Sequence, residues 1–304
     1  MTSVRQAAED YLAMRRSLGS VLEQDGRRLL EFVSFLESSG HAYVTTDAAL
    51  AWATTAPTPG AAARRLSFVR LFAAHLHAFD PRTEIPPRDL LHHAPPRKPP
   101  YVYSEEDVRA LIRTAWSLQG RLRAVTYATL FGLLATTGMR VGEATGLDRE
   151  DFEPREGVLT VRGSKGRSRR VYLHDTTRDA LQAYVRKRNR TFPNPEGGSF
   201  LLSTVGKRLL RQNVHETFLL LLGRAGLADR KPRRPRIHDL RHSFAVHTLE
   251  DWYREGVDVQ RMLPRLSTYL GHVGPASTYW YLSATPELMG MAAERLGHVL
   301  DRMP

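Results

Sequence analysis

The sequence predicts a mainly α fold carrying one small β-sheet or hairpin, an α+β protein, on three observations. Apolar side chains recur at helical spacing through most of the first eighty residues. Residues 121–136, rich in Ala, Leu and Thr, read as a buried helix. Clear period-two alternation marks one place, where Val158-Leu159-Thr160-Val161 and Arg170-Val171-Tyr172-Leu173 flank Gly163-Ser164-Lys165-Gly166.

The elements follow in order. Residues 4–18 carry Ala8, Tyr11 and Leu12, and residues 22–36 carry Leu29, Leu30, Phe32, Val33 and Leu36. Thr46-Asp47 offers an N-cap for a short helix through Leu50 and Trp52, which Ala56-Pro57-Thr58-Pro59-Gly60 breaks. Residues 61–79 form a longer helix on Leu66, Val69, Phe72, Ala73 and Leu76. Arg64, Arg65 and Arg70 lie on or beside its other faces, where the plain reading is a solvated surface. Residues 1–90 thus make a small helical domain.

Seven prolines between Pro81 and Pro100 crowd the next interval, with Arg97-Lys98 inside it. Proline at this density favours an extended connector, so residues 91–100 are a linker and a second domain covers 101–304. Ser104 before Glu105-Glu106-Asp107 is an N-cap with an acidic first turn.

Within that domain Gly138 permits a turn and residues 141–147 resume a helical pattern. Arg140 stands at that helix start, where backbone N–H groups can face an anion, and Glu143 is spaced to brace it. Residues 151–190 hold eleven Lys/Arg against five Asp/Glu, a net of +6, including Lys165 and Arg167 in the hairpin turn. A turn lysine is by default only solvated. Residues 194–198 form a Pro/Gly loop, and residues 207–222 read as a helix with a basic start in Lys207, Arg208 and Arg211. Residues 230–236 put five positive charges in seven positions; their prolines favour a loop, with Arg233, Arg234 and Arg236 suited to phosphate contacts. Thr285-Pro286-Glu287 begins a tail helix over 286–300, striped by Leu288, Ala292, Leu296 and Val299.

At 304 residues, with 42% apolar and 25% charged content, the chain has the size and composition of two soluble globular domains. Its net charge of +12 favours a polyanionic partner. The lack of Cys excludes disulfides and thiolate chemistry. No signal peptide or membrane-length apolar run is apparent, so a cytoplasmic protein away from membranes is expected.

Residues 237–283 concentrate the chemistry. They contain His238-Asp239-Leu240-Arg241-His242, then Leu270-Gly271-His272, then Tyr281 nine residues on. Arg suits a planar fork of hydrogen bonds to phosphate, and His can move a proton near neutral pH. A phenol has a pKa of about 10, so it becomes a useful nucleophile only in a cationic setting.

His238-x-x-Arg241, Leu270-Gly271-His272 and Tyr281, preceded by Thr137-Gly138-Met139-Arg140 and the hairpin Lys165, resemble the tyrosine recombinase (phage integrase) family. The wording Tyr279-Trp280-Tyr281-Leu282-Ser283 also resembles transposon-encoded members, including those that occur in groups of three. One departure is a longer interval between Arg241 and His272.

The resemblance implies a helical DNA-clamp domain before a catalytic domain, and cleavage and rejoining of DNA through a 3′-phosphotyrosyl link without metal or nucleotide cofactor. It implies Tyr281 as nucleophile, Arg140 and Arg241 on the phosphate, Lys165 as acid, His238 as base and His272 as a phosphate hydrogen-bond donor. It also implies double-stranded DNA as partner, a homotetramer on paired sites, possible sister recombinases of one element, and DNA contacts from the basic residues named above.

Three other readings compete. A type IB topoisomerase shares the chemistry on a single duplex. A non-catalytic DNA-binding protein would not need the full set of six residues. A metal hydrolase would use His238, Asp239 and His242, with the two His sharing a helix face.

Overall fold

A computed structural model of the chain describes residues 3–91, 99–163, 168–231, 233–272, 274, 276–283, 285–291 and 293. Among the described residues they fall into two compact units, one reaching to residue 91, so that it includes Pro81, Pro86 and Pro87, and one beginning at residue 99. Mainly helical architecture with a single small sheet is what the residue pattern predicts.

The first unit packs four helices: α1 (Val4–Ser17), α2 (Glu23–Ser38), α3 (Thr46–Thr54) and α4 (Pro59–His77). Its core is built from the predicted apolar positions, among them Tyr11, Leu29, Phe32, Leu36, Leu66 and Phe72. Two boundaries differ from expectation. Thr45 rather than Thr46 caps α3, accepting from the Ala48 N–H at 3.1 Å. Pro59 starts α4 instead of breaking the chain, because Thr58 caps the helix and proline's missing N–H costs nothing in the first turn.

The second unit is built around α6 (Arg121–Thr137), which is apolar on all sides and is correspondingly buried. Packed with it are α5 (Glu105–Trp116), α8 (Asp175–Thr191), α9 (Arg211–Arg224) and α10 (Asp239–Arg254). After the short α7 (Val141–Gly146) comes an antiparallel sheet in the order β1 (Phe152–Glu153), β2 (Val158–Arg162), β3 (Ser168–Tyr172). Its register pairs Phe152 with Leu159 and Leu159 with Val171. The two-residue β1 is too short to carry an alternation signal, which is why the sequence indicated only a hairpin. Lys165 and Arg167, at the hairpin tip, lie outside the described residues, as do Arg97 and Lys98.

The predicted helix over 207–222 starts later, at Arg211. Lys207 and Arg208 precede it in a bridged segment where Leu202 pairs with Arg208. The long interval before His272 is filled by the end of α10 and by α11 (Val259–Leu270). After α11 come α12 (Ala276–Tyr279) and a 3-10 turn, Trp280–Ser283. The tail begins as expected, with the Leu288 N–H donating to Thr285 Oγ1 at 3.2 Å. Leu288 is fully buried in a core shared with Ala245, Leu249, Leu266 and Tyr281, so the first turn of the tail packs on its own unit. Residues 294–304 lie outside the described residues. Among the described residues no helix is long and apolar enough to cross a membrane.

Gly138 ends α6 with φ +61°, and a Cβ there would come within 2.6 Å of Phe244 Cδ1 and 3.0 Å of Leu270 Cδ2. Gly223, inside α9, has nothing within 4 Å of such a Cβ. Gly138→Ala is therefore expected to destabilise the protein by about 1–3 kcal/mol through backbone strain and overpacking. Gly223→Ala should be neutral or stabilising by up to about 1 kcal/mol. Thermal melts of both variants check this; equal midpoints would contradict the close packing assigned to Gly138.

Candidate active site

The site forms where four chain segments meet, and two helix endings fix its geometry. Helix α6 ends at Gly138 in the left-handed conformation, and α11 ends at Gly271, φ +68°, in the same way. In α11 the Gly271 N–H donates to Thr268 O and the His272 N–H to Ser267 O, both at 3.0 Å, a paired C-terminal cap that sets where His272 leaves the helix. The uncapped carbonyls nearby are taken by Arg241, whose Nη1 donates to Gly138 O at 2.8 Å and Nη2 to Leu270 O at 2.7 Å. Arg241 is only 2% exposed, yet it forms no ion pair among the described residues. Burial, followed by the charge of Arg140, lowers its pKa to about 10, which still leaves it cationic at neutral pH.

Arg140 stands at the N-terminus of α7, with 41% of its side chain exposed. Its Nη1 donates to Glu143 Oε1 at 2.8 Å, its backbone N–H to Glu143 Oε2 at 2.9 Å, and its Nη2 to Gly271 O at 3.3 Å. Glu143 is the brace that its spacing suggests, but the sequence reading missed its second partner. Arg169 of β3 donates to both Glu143 oxygens, at 3.0 and 2.8 Å. Burial alone would raise the Glu143 pKa; hydrogen bonds from Arg169 and Arg140 outweigh it and hold the group at about 2.

Tyr281 is 2% exposed, and Tyr279, two residues earlier, is 49% exposed. The two phenols thus lie on different sides of the chain, as their spacing requires. His242 Nδ1 lies 2.9 Å from Tyr281 Oη, so His242, considered above only as a metal ligand, touches the phenol. Burial and then neighbouring His238 bring the His242 pKa down to about 4, so at neutral pH the ring is uncharged.

His238 heads α10 with its ring 4.7 Å from that of His242 in an edge-on arrangement. His238 is open to solvent on one side, while surrounding protein bulk and then Arg241 keep its pKa below the ordinary value. His272 engages Thr278 Oγ1 through Nδ1 at 2.7 Å, leaving Nε2 as its available nitrogen, and its ring centroid lies 6.2 Å from that of Tyr281. Burial followed by Arg241 lowers its pKa to about 4. The structure therefore brings together Arg140, His238, Arg241, His272 and Tyr281, and adds Glu143, Arg169 and His242.

The hydrolase alternative does not fit the third side chain it needs. The Asp239 carboxylate is fully buried and receives Arg233 Nη2 at 2.8 Å, the Arg236 backbone N–H at 2.8 Å and Arg236 Nη2 at 3.1 Å. It shapes the basic loop instead of facing the imidazoles.

Several predicted DNA contacts have internal partners. Arg70 donates to the Pro86 and Pro87 carbonyls, each at 2.7 Å. Arg65 bonds Thr55 Oγ1 at 2.9 Å and lies over the Trp52 ring. Arg208 is tied to Thr145 O, Leu147 O and Asp148, and Lys207 pairs with Glu196 at 3.2 Å. Arg64, Arg211 and Arg234 are exposed.

Residues 102–287 match the model of the phage integrase family. The chain is 43% identical over 306 residues to a putative integrase/recombinase, y4rB, of Sinorhizobium fredii (strain NBRC 101917 / NGR234), covering 97% of this chain and 98% of that one. A second putative integrase/recombinase from the same strain, y4rE, is 37% identical over 95% of this chain and 94% of its own length. Among solved structures, the Tn1549 transposon integrase in complex with transposon right end DNA superposes with a TM-score of 0.68 at 15% identity. That match covers 97% of this chain and 100% of the other. With this match to the family model and these relatives along nearly its whole length, the chain belongs to the phage integrase family and is a tyrosine-type site-specific recombinase.

Proposed function

We propose that this recombinase cuts and rejoins double-stranded DNA at specific sites through a 3′-phosphotyrosyl intermediate carried by Tyr281. The observation that carries the reading is Arg241, a buried guanidinium without a carboxylate partner among the described residues, set beside Arg140 and a buried tyrosine. Backbone carbonyls solvate this cation without cancelling its charge, so it still attracts an anion. A scissile phosphate supplies that anion.

In the proposed step Tyr281 Oη attacks phosphorus, the O–P bond to the 5′-oxygen breaks, and the tyrosine stays linked to the 3′ end. Arg140 and Arg241 offset the charge that grows on the non-bridging oxygens. His272, through its available Nε2, donates to one of them. Lys165 protonates the departing 5′-oxygen. The phenolic proton passes to the imidazole pair, with His238 as base and His242 as the ring in contact with the phenol. A 5′-hydroxyl from another strand reverses the chemistry and seals the exchange.

In the same reading the first unit clamps the duplex together with the catalytic unit, and four chains assemble on paired sites, alone or with sister recombinases. The relatives support the DNA partner: solved neighbours at low identity include XerH bound to a difH substrate. Among the predicted contacts, Arg64, Arg211, Arg234 and Arg236 keep exposed side chains, which supports a role at phosphates.

Two measurements test the site. Tyr281→Phe should abolish covalent DNA attachment, a loss beyond about 10³-fold, while Tyr279→Phe stays within about tenfold of the parent. Denaturing gels of DNA incubated with each chain read this directly, and a covalent adduct from Tyr281→Phe would refute the assignment.

The second concerns pH. His242 and His272 have folded pKa values of about 4, below the ordinary value of 6.5, so the unfolded chain binds their protons first. Their contribution to stability is complete above about pH 6.5 and is lost as pH falls toward 4. The melting temperature should therefore drop across that window. His242→Asn, which keeps a polar atom near the phenol but does not titrate, should flatten the slope. An unchanged slope would contradict a half-buried, neutral His242.

A further inference from the structure

Arg169 is the one large polar side chain on the inward face of β3. Along Ser168–Tyr172 the alternation turns positions 169 and 171 inward, and position 171 is a fully buried valine. Arg169 has 14% of its side chain exposed. Its guanidinium reaches two other elements at once. Nη1 and Nη2 form a two-pronged bond with Glu143, and Nε donates to Tyr269 O, at the end of α11, at 2.8 Å.

The neighbouring chain is shaped around it. A Cβ at Gly271 would lie 2.7 Å from Arg169 Nη1 and 3.0 Å from its Cζ, so the residue preceding His272 leaves room for this guanidinium. β3 is the strand that follows the hairpin tip bearing Lys165. Arg169 thereby joins the strand behind the proposed acid, the carboxylate behind Arg140 and the turn that delivers His272.

The charge arithmetic gives this bridge a chemical consequence. Glu143 alone with Arg140 would make a neutral pair, and the phosphate would face a compensated cation. With Arg169 the cluster of two guanidiniums and one carboxylate is net positive. Glu143 Oε2 takes Arg169 Nη2 and the Arg140 backbone N–H, while Oε1 is shared between the two side chains. The exposed edge of Arg140 keeps its charge for an incoming anion.

We propose that Arg169 is a positioning residue for DNA cleavage: it holds Glu143 and the α11 turn so that Arg140 meets the scissile phosphate in fixed geometry and with its charge uncompensated. The proposal rests on the cleavage reading above, and its test separates the two. The probe is a duplex selected by the full chain from a random-sequence pool. It is made twice, with an ordinary phosphodiester or with a methylphosphonate at the cleaved linkage, which lacks one negative oxygen.

Arg169→Met should slow covalent complex formation on the phosphodiester by about 10²-fold, the scale of a misplaced catalytic group. On the methylphosphonate, which needs less positive charge, it should come within about fivefold of the parent, and Arg140→Ala should follow the same pattern. Arg169→Lys keeps the charge but not the fork and should show the same linkage dependence at smaller amplitude, which covers a Met variant of low stability. A rate for Arg169→Met within threefold of the parent on the phosphodiester would overturn the proposal. So would an equal deficit on both linkages, the signature of a merely structural defect. A covalent adduct from Tyr281→Phe in the same assay would instead overturn the cleavage reading, with Arg169 still judged by the linkage comparison.

Discussion

Arg241 sets the terms for the rest of the catalytic unit. Taking a cation out of water costs several kcal/mol per ion even after relaxation. The chain meets that cost with two helix C-termini, where unpaired carbonyls gather and the helix dipole is negative. Gly138 and Gly271 are needed for this, because each turns the chain in the left-handed region and so exposes the Gly138 and Leu270 carbonyls to one guanidinium. Carbonyl dipoles solvate the charge without cancelling it. The position of α10 against the ends of α6 and α11 follows from these bonds, and with it the placement of His238, His242 and His272.

A different device serves Arg140. There a full carboxylate is used, and Glu143 stays ionised because two arginines share it. The two cations of the site are thus held by opposite means, one by dipoles in a buried pocket and one by a shared ion pair near the surface. The second arrangement needs Arg169, which ties the strand of the hairpin to the proposed phosphate grip.

Much of this was legible in the sequence, because motif residues at helix starts and turns follow local rules. The helical first unit, α5 with its Ser104 cap, α6, the Gly138 turn and the Glu143 brace all rest on short-range patterns. What escaped was long-range or polar. Arg169 reads as one of several hairpin arginines, since its partners lie 26 and 100 residues away. His242 shares a helix face with His238, which suggests a metal pair until the fold brings Tyr281 to it across 39 residues. The sequence puts the start of α9 too early because Lys207 and Arg208 continue its basic composition, although they belong to a bridged segment pinned by Asp148 and Glu196.

The same limit governs how the net charge of +12 should be read. A positive count favours a polyanion, but it does not say which cations face one. Arg70 is spent on two proline carbonyls and Arg208 on the end of α7, so neither offers an unoccupied guanidinium to a phosphate. Arg233 is held by the buried Asp239, and its own Nε has no partner among the described residues. That carboxylate also binds Arg236, yet Arg236 keeps an exposed side chain. Asp239 therefore ties Arg233 and Arg236 of this basic run beside the start of α10, giving up part of the charge to fix the direction of the rest. Sequence composition measures the first quantity, and only the fold reveals the second.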